Sequence, residues 1–256
     1  FATVRRIILN FMKNTAIIIP SRLEAKRFPN KPLAEINNLP MIIQVLNRAK
    51  ESKVGEVFVA TPDEEISKVV ENHGGNAILT KQNHASGSDR VHEAYLRILK
   101  NKIDFIINLQ GDMPNISPSS ISKLEKLMKE SDCDIGTLGA KIKKKNEISN
   151  PNVVKVQTNQ FLKNNDFLEI NDFFRIKKDL VSKKIYHHCG IYIFKKESLK
   201  KYVNIPRSKL EIERNLEQMR AVENKMKIKV GLSDTAPLSV DTKEDLKEII
   251  KEMNKL

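Results

Sequence analysis

The chain contains no tryptophan, only two cysteines and nine glycines in 256 residues, and aromatic side chains make up 5% of it. Each scarcity excludes something. Cys133 and Cys189 stand alone, with no CxxC spacing, so neither a disulfide framework nor a structural zinc site is expected. A reducing, cytoplasmic setting follows as the default expectation. No run of eighteen apolar residues exists, so no membrane-spanning helix is expected. The formal charge is +13, but arginine is scarce: 11 of the 45 basic residues are Arg and 34 are Lys. Nucleic-acid readers lean on Arg and on interleaved aromatics, so this charge reads as a solvated lysine coat rather than a nucleic-acid footprint. The same positive field suits a small anionic substrate, which it would steer inward. What is present is ordinary globular material, 40% hydrophobic and 30% charged, enough for one large domain or two small ones.

Periodicity gives the organisation. Thr15 to Pro20 reads as a buried strand, and Ser21 to Pro32 as a long polar loop. A helix is expected over Met41 to Ser52, a strand over Glu56 to Thr61, and a helix from a cap at Asp63 to about His73, where Gly74-Gly75 stops it. Strand Asn76 to Thr80, helix Ser86 to Lys100, strand Ile103 to Leu109 and helix Ser117 to Lys129 follow. Strands alternating with helices imply βαβ units and a parallel sheet. After residue 130 the rhythm changes. Asp134 to Lys141, Val153 to Thr158 and Phe167 to Asn171 read as strands without intervening helices, and Lys141 to Lys145 as a solvated turn. Strand Tyr186 to Phe194, a long helix over Ser208 to Asn224, strand Lys227 to Leu232 and helix Thr242 to Met253 close the chain. The expected architecture is a single α/β domain over residues 14–256, its central sheet mixed and mostly parallel, with a β-rich insertion in the second half. Residues 1–13 are expected to be a non-native or disordered extension, with translation starting at Met12.

In an open α/β sheet, ligands bind beyond the carboxyl ends of the strands. The loop after the first strand lies there and offers Arg22, Arg27 and Lys31 among prolines. Three cations on one short loop suit a polyphosphate, although a basic surface loop would look the same. The sequence GxxxxGK is absent, so this is not a Walker loop. The fourth strand ends Gln110-Gly111-Asp112, which puts a carboxylate where it would hold Mg²⁺ with phosphate oxygens, or cap a turn. Asp241, just before the last helix, either caps that helix or completes a carboxylate pair with Asp112. Ser86-Gly87-Ser88 opens a helix, where backbone N–H groups suit an anion or hydroxyl and Ser86 or Ser88 suits a cap.

Together these segments resemble the 3-deoxy-manno-octulosonate cytidylyltransferases, the CMP-Kdo synthetases. Arg22 through Lys31-Pro32 is similar to the family's RxxxxRxPxKP loop, Pro40-Met41-Ile42 to its PMI segment, and Val59-Ala60-Thr61 to its VAT strand end. Ser86 to Arg90 resembles SG[ST][DE]R, Gln110 to Asp112 resembles QGD, and Asn150 to Lys155 resembles NPN.VK. His188 with Gly190-Ile191-Tyr192 resembles H.GIY, Leu216-Glu217-Gln218 with Arg220 resembles LEQ.R, and Val240 to Thr242 resembles VDT. The matches stand in family order from about residue 14 to the end of the sequence.

The resemblance implies a Rossmann-like nucleotidyltransferase fold, a homodimer, and transfer of CMP from CTP to the anomeric hydroxyl of Kdo. The product would serve lipopolysaccharide biosynthesis. It further implies that Arg22, Arg27 and Lys31 grip the CTP phosphates, that Asp112 and Asp241 hold Mg²⁺, and that Ser86, Gly87 and Gln110 line the nucleotide. By the same carry-over, Arg22, Lys31, Asp112 and Asp241 form the catalytic group, and His188, Tyr192, Glu217 and Gln218 contact the sugar acid. His188 would orient the sugar or, alternatively, act as its base. Two positions depart from the family: Met113 stands where many members carry Glu, and His187 where an Arg is often seen. The central Glu of the LExxExLEQ register is also displaced, with Glu213 and Arg214 occupying that region. Three rival readings stay open: an 8-amino-Kdo enzyme, a nonulosonate cytidylyltransferase sharing the nucleotide chemistry, and a non-catalytic nucleic-acid-binding protein motivated by the charge.

Overall fold

The computed structural model describes residues 14–24, 27–98, 103–143, 146–176 and 184–255. The expected extension over 1–13 and the end of the Lys141 to Lys145 run lie outside the described residues. The fold is α/β and gathers into two compact units, one running to Ile121 and resuming at Leu238, the other spanning Ser122–Pro237.

The first unit is built on four parallel strands in the order β5-β4-β1-β6. These are β1 (Thr15–Pro20), β4 (Glu56–Thr61), β5 (Asn76–Leu79) and β6 (Phe105–Leu109). β1 lies at the centre, with Ile18 opposite Phe58 on one side and Asn108 on the other. Its Ile17, Ile18 and Ile19 are fully buried, as a near-continuous β-branched run requires when helices cover both faces. Helices α1 (Met41–Glu51), α2 (Glu64–Asn72) and α3 (Gly87–Arg97) make the connections. A Cβ at Gly55 would lie 1.7 Å from the Thr15 carbonyl oxygen, so only glycine fits where the chain enters β4. One feature is additional to the expected elements: β2 (Glu35–Ile36) and β3 (Leu39–Pro40) form a short hairpin before α1. Its turn places Asn37 and Asn38 at φ 52° and 63°, the left-handed conformation that asparagine tolerates.

The chain returns to the first unit as α9 (Lys243–Met253). Phe28, Ile36, Met41, Val240 and Ile249 form one buried apolar cluster, with Leu246, Ile250 and Met253 packed on it. At about 1.5–3 kcal/mol for each buried side chain, this cluster ties the loop after β1 to the segment before α9. Residues more than two hundred positions apart are thereby held side by side.

The second unit contains β7 (Ile135–Lys141), β8 (Lys155–Thr158), β9 (Phe167–Phe174), β10 (Ile185–Lys195) and β11 (Ile228–Ser233). β7 pairs parallel with β11 and antiparallel with β10, and β11 pairs antiparallel with β9. β8 pairs antiparallel with both β9 and β10, so the five strands close on themselves. Mostly parallel pairing thus describes the first unit, whereas the second is antiparallel apart from β7–β11. Helix α4 (Pro118–Lys129) precedes β7, and a short helix, α5 (Asn146–Ser149), lies between β7 and β8, just after the expected Lys141 to Lys145 turn. Three further helices follow β10: α6 (Lys196–Asn204), α7 (Lys209–Arg214) and α8 (Met219–Glu223). The single helix expected over Ser208 to Asn224 is broken, because Asn215 sits at φ 50°, ψ 48° and ends α7. No helix among the described residues is long and apolar enough to cross a membrane.

Candidate functional site

The parallel register of the first unit puts the carboxyl ends of β1, β4, β5 and β6 along one edge, and the loops that follow them meet there. After β1, Lys31 opens a single turn of 3-10 helix over Lys31–Leu33, with Asn30 in the left-handed conformation before it. This turn aims the lysine back at the sheet. Its Nζ donates to Asp112 Oδ2 at 3.1 Å, to the Val240 carbonyl at 2.7 Å and to Asp241 Oδ1 at 3.5 Å. Arg27 adds an ion pair to Asp241 Oδ2 at 2.9 Å. The backbone closes the same junction, since the Val240 N–H donates to the Asp112 carbonyl at 2.9 Å. The two carboxylates, far apart in sequence, therefore meet at one ammonium group.

These contacts decide between the alternative readings of both aspartates. The cap of α9 is Thr242, whose hydroxyl accepts from Asp245 N while Asp245 accepts from the Asp241 and Thr242 N–H groups. Asp241 is thus released from capping, and its carboxylate points at Arg27 and Lys31. The Asp112 carboxylate likewise takes a side-chain cation instead of closing a turn. Gly111 fits closely beneath it: a Cβ there would lie 3.2 Å from the Pro20 carbonyl oxygen. Asp63 begins α2, but its carboxylate does not cap that helix; Oδ2 accepts from the Leu23 N–H at 2.8 Å and fixes the loop after β1. Arg22 is exposed and makes no ion pair among the described residues. Its charge, after the effect of burial, helps push the Arg90 guanidinium below its ordinary value.

Ser86 is the N-cap of α3, its hydroxyl donating to Asp89 Oδ2 at 2.9 Å and accepting from Asp89 N at 3.3 Å. Gly87 lies against Pro20 and the Gln110 amide. Gln110 Nε2 donates to Asn108 Oδ1, and Asn108 Nδ2 donates to Ser88, which locks the end of β6 to the start of α3. Arg90, at the end of the same run, is buried and donates to the Thr80 hydroxyl and to the Lys81 and Gln82 carbonyls. It shapes the β5–α3 loop from below. Its place at the end of the Ser86 to Arg90 run was the available signal for that role.

Which of these residues could hold a metal is a question of donor chemistry. Among the described residues no group of three or more His, Cys, Asp or Glu side chains is placed so that it could hold a metal ion. Asp112 and Asp241 form a hard oxygen pair, which suits Mg²⁺ bound jointly by one or two carboxylates, waters and nucleotide phosphates. Lys31 Nζ shows that the pair already accepts a cation.

The expected sugar-acid residues belong to the second unit. His188 and Tyr192 stand on β10 with ring centroids 5.2 Å apart, either side of an irregularity that takes Gly190 and Ile191 out of the ladder with β7. Burial pushes the His188 pKa down to about 3, helped by the charge of His187. The ring is neutral at neutral pH, and so weak a base favours orientation over proton abstraction. Burial raises the Tyr192 phenol, and the nearby Glu217 carboxylate raises it further. The Tyr202 hydroxyl donates to the Glu217 carbonyl at 2.8 Å. Gln218 begins α8. Arg220 of the LEQ.R run is buried beneath them, joined to Glu211 by two contacts of 2.8 Å, and its guanidinium lies over the Tyr202 ring. The departing residue His187 is within 2.9 Å of Glu147, and Met113 is buried.

Comparison with known proteins agrees across the chain. The sequence pattern of the cytidylyltransferase family matches residues 16–228. A 3-deoxy-manno-octulosonate cytidylyltransferase from Bartonella bacilliformis is 40% identical over 236 residues, 92% of this chain and 96% of its own length. One from Brucella canis is 42% identical over 233 residues, 91% of this chain and 92% of its own. The solved structure of a CMP:2-keto-3-deoxy-manno-octonic acid synthetase complexed with CTP matches with a TM-score of 0.84 and 32% identity, over 94% of this chain and 99% of that one. A cytidylyltransferase from Leptospira borgpetersenii, 19% identical with a TM-score of 0.59, covers 94% of this chain and 95% of its own and shares the fold.

Proposed function

Since the chain belongs to the 3-deoxy-manno-octulosonate cytidylyltransferase family, we propose that it transfers CMP from CTP to the anomeric hydroxyl of Kdo and releases pyrophosphate. It is a nucleotidyltransferase, and its product serves lipopolysaccharide biosynthesis. The fold is read as the Rossmann-like nucleotidyltransferase fold with a β-rich insertion. The nucleotide residues belong to the first unit and the sugar-acid residues to the second, and residues 14–256 are read as one catalytic domain. Assembly as a homodimer completes the proposal.

The observation that carries this reading is the meeting of Asp112 and Asp241 at Lys31. Two carboxylates against the three cations Arg22, Arg27 and Lys31 leave one net positive charge, suited to a metal-bound triphosphate. Asp112 and Asp241 would hold Mg²⁺, which when bound supplies a Lewis acid at the α-phosphate. Little covalent work then falls to the protein. Arg22, Arg27 and Lys31 neutralise the phosphates and the departing pyrophosphate. Ser86, Gly87 and Gln110 line the nucleotide, and His188, Tyr192, Glu217 and Gln218 orient the sugar acid so that its anomeric oxygen approaches the phosphorus in line. His188 is neutral and orients the sugar acid, and the proton of the anomeric hydroxyl is released to solvent water.

The test is pyrophosphate release with CTP, Mg²⁺ and Kdo, each omitted in turn. Release is expected only when all three are present. Release without a sugar acid, or faster turnover of a nine-carbon acid than of Kdo, would overturn the assignment.

A further inference from the structure

Thr137 lies on β7, fully buried, and no motif singles it out. Its hydroxyl oxygen sits 2.9 Å from His188 Nε2, 2.7 Å from the Ile191 carbonyl oxygen and 3.4 Å from the Cys189 carbonyl oxygen. A threonine hydroxyl has one hydrogen to give and lone pairs to receive. The Ile191 carbonyl can only accept, and the bulge between Cys189 and Tyr192 removes its residue from the strand ladder. The hydroxyl hydrogen therefore goes to Ile191, the nearer carbonyl. Were it turned toward His188, two oxygens would face each other at 2.7 Å with no hydrogen between them, and the Ile191 carbonyl would lose this hydrogen bond. With that hydrogen committed, Nε2 meets a lone pair and must carry a hydrogen of its own.

We propose that Thr137 is a positioning residue that fixes His188 in its Nε2–H tautomer, so that Nδ1 is the atom offered to a hydroxyl of the sugar acid. This inference rests on the reading of His188 as a sugar-acid contact. Because the ring stays neutral at working pH, its hydrogen-bonding polarity is set by the tautomer and not by protonation. Phe173 holds the ring edge-on at 5.1 Å between centroids and Tyr192 lies 5.2 Å away, so the ring's plane is fixed as well as its hydrogen. A neutral imidazole locked this way receives a hydrogen bond from a sugar hydroxyl and cannot donate one at the same atom.

The test uses the full chain labelled with ¹⁵N-histidine. In the wild type, multiple-bond ¹H–¹⁵N spectra should show His188 as the pure Nε2–H form. Thr137→Val should give a mixture of tautomers and raise the KM for Kdo about tenfold, the worth of one hydrogen bond, with the KM for CTP unchanged. Thr137→Ser should restore both properties. An Nδ1–H wild type overturns the proposal, and that spectrum requires no variant to fold. So does a Thr137→Val protein with an unchanged tautomer and unchanged KM. If no sugar acid is turned over at all, the cytidylyltransferase reading fails, while the tautomer spectrum still decides what Thr137 does.

Discussion

Lys31 keeps 16% of its side chain exposed, and Asp112 and Asp241 keep 24% and 32% of theirs. Ion pairs with that much access to water contribute roughly 0–1 kcal/mol to folding. Their arrangement is therefore of little use to stability, whereas a preorganised charge facing a reacting phosphate is worth about 3–4 kcal/mol. Asp112→Asn should accordingly lower kcat by about a hundredfold or more. Its melting temperature should stay within a few degrees of wild type, as thermal unfolding monitored alongside the assay would show. A near-normal rate would remove Asp112 from the reaction. His188 gives a prediction of opposite character, because it is buried. Folded, it takes a proton only at about pH 3, and its ordinary value is 6.5. Between those values the unfolded chain holds the extra proton, so stability is full above the window and falls as the pH drops through it. His188→Gln should flatten that loss, measured by denaturant unfolding at neutral pH and at about pH 5. An equally steep loss in the variant would mean that another group titrates.

At the scale of elements, the buried pair between Glu211 and Arg220 joins α7 to α8. Burial alone would raise the Glu211 carboxyl, but the hydrogen bonds from Arg220 and Arg207 outweigh it and hold the carboxyl below its ordinary value. Glu211→Ala would leave Arg220 buried without its partner, at a cost of about 3–5 kcal/mol in denaturant unfolding. A change under about 1 kcal/mol would mean the arginine finds water instead. The same region marks the limit of what could be read in advance. Residues 208–224 carry an unbroken helical pattern, because Glu211, Arg220 and the apolar positions between them serve two short helices as well as one long one. Only the left-handed Asn215 breaks it, and asparagine also occurs inside helices. Helix α6 was illegible for a different reason: it follows β10 without a loop, and its lysines obscure the buried Leu199 and Tyr202. By contrast β1 and β4 were legible to the residue, since β-branched runs ended by proline or threonine leave little choice. Asp112 was singled out by its place at the end of β6, and Lys31 as one of three cations in the loop after β1. Their meeting with Asp241 was not, because it depends on the packing of Phe28, Met41, Val240 and Ile249. Thr137 was invisible: a threonine inside a strand looks like any other until its neighbours are known.

Over the whole molecule, the charge of +13 should act on encounter and not on chemistry. The kcat/KM for CTP is expected to fall several-fold as ionic strength rises from about 0.01 to 0.15 M, where the screening length shrinks from roughly 30 to 8 Å, with kcat little changed. Insensitivity to salt would mean the lysine coat does not steer the nucleotide. Strong, salt-sensitive binding of DNA or RNA in a filter assay would instead revive the nucleic-acid reading. In the first unit a basic loop and two distant aspartates meet at Lys31, the place proposed for a metal-bound triphosphate. Calorimetric titration of CTP with and without Mg²⁺, into wild type, Asp112→Asn and Asp241→Asn, addresses that proposal most directly. Mg²⁺ should tighten CTP binding to the wild type, and each substitution should abolish that gain. Equal magnesium dependence in all three proteins would contradict it.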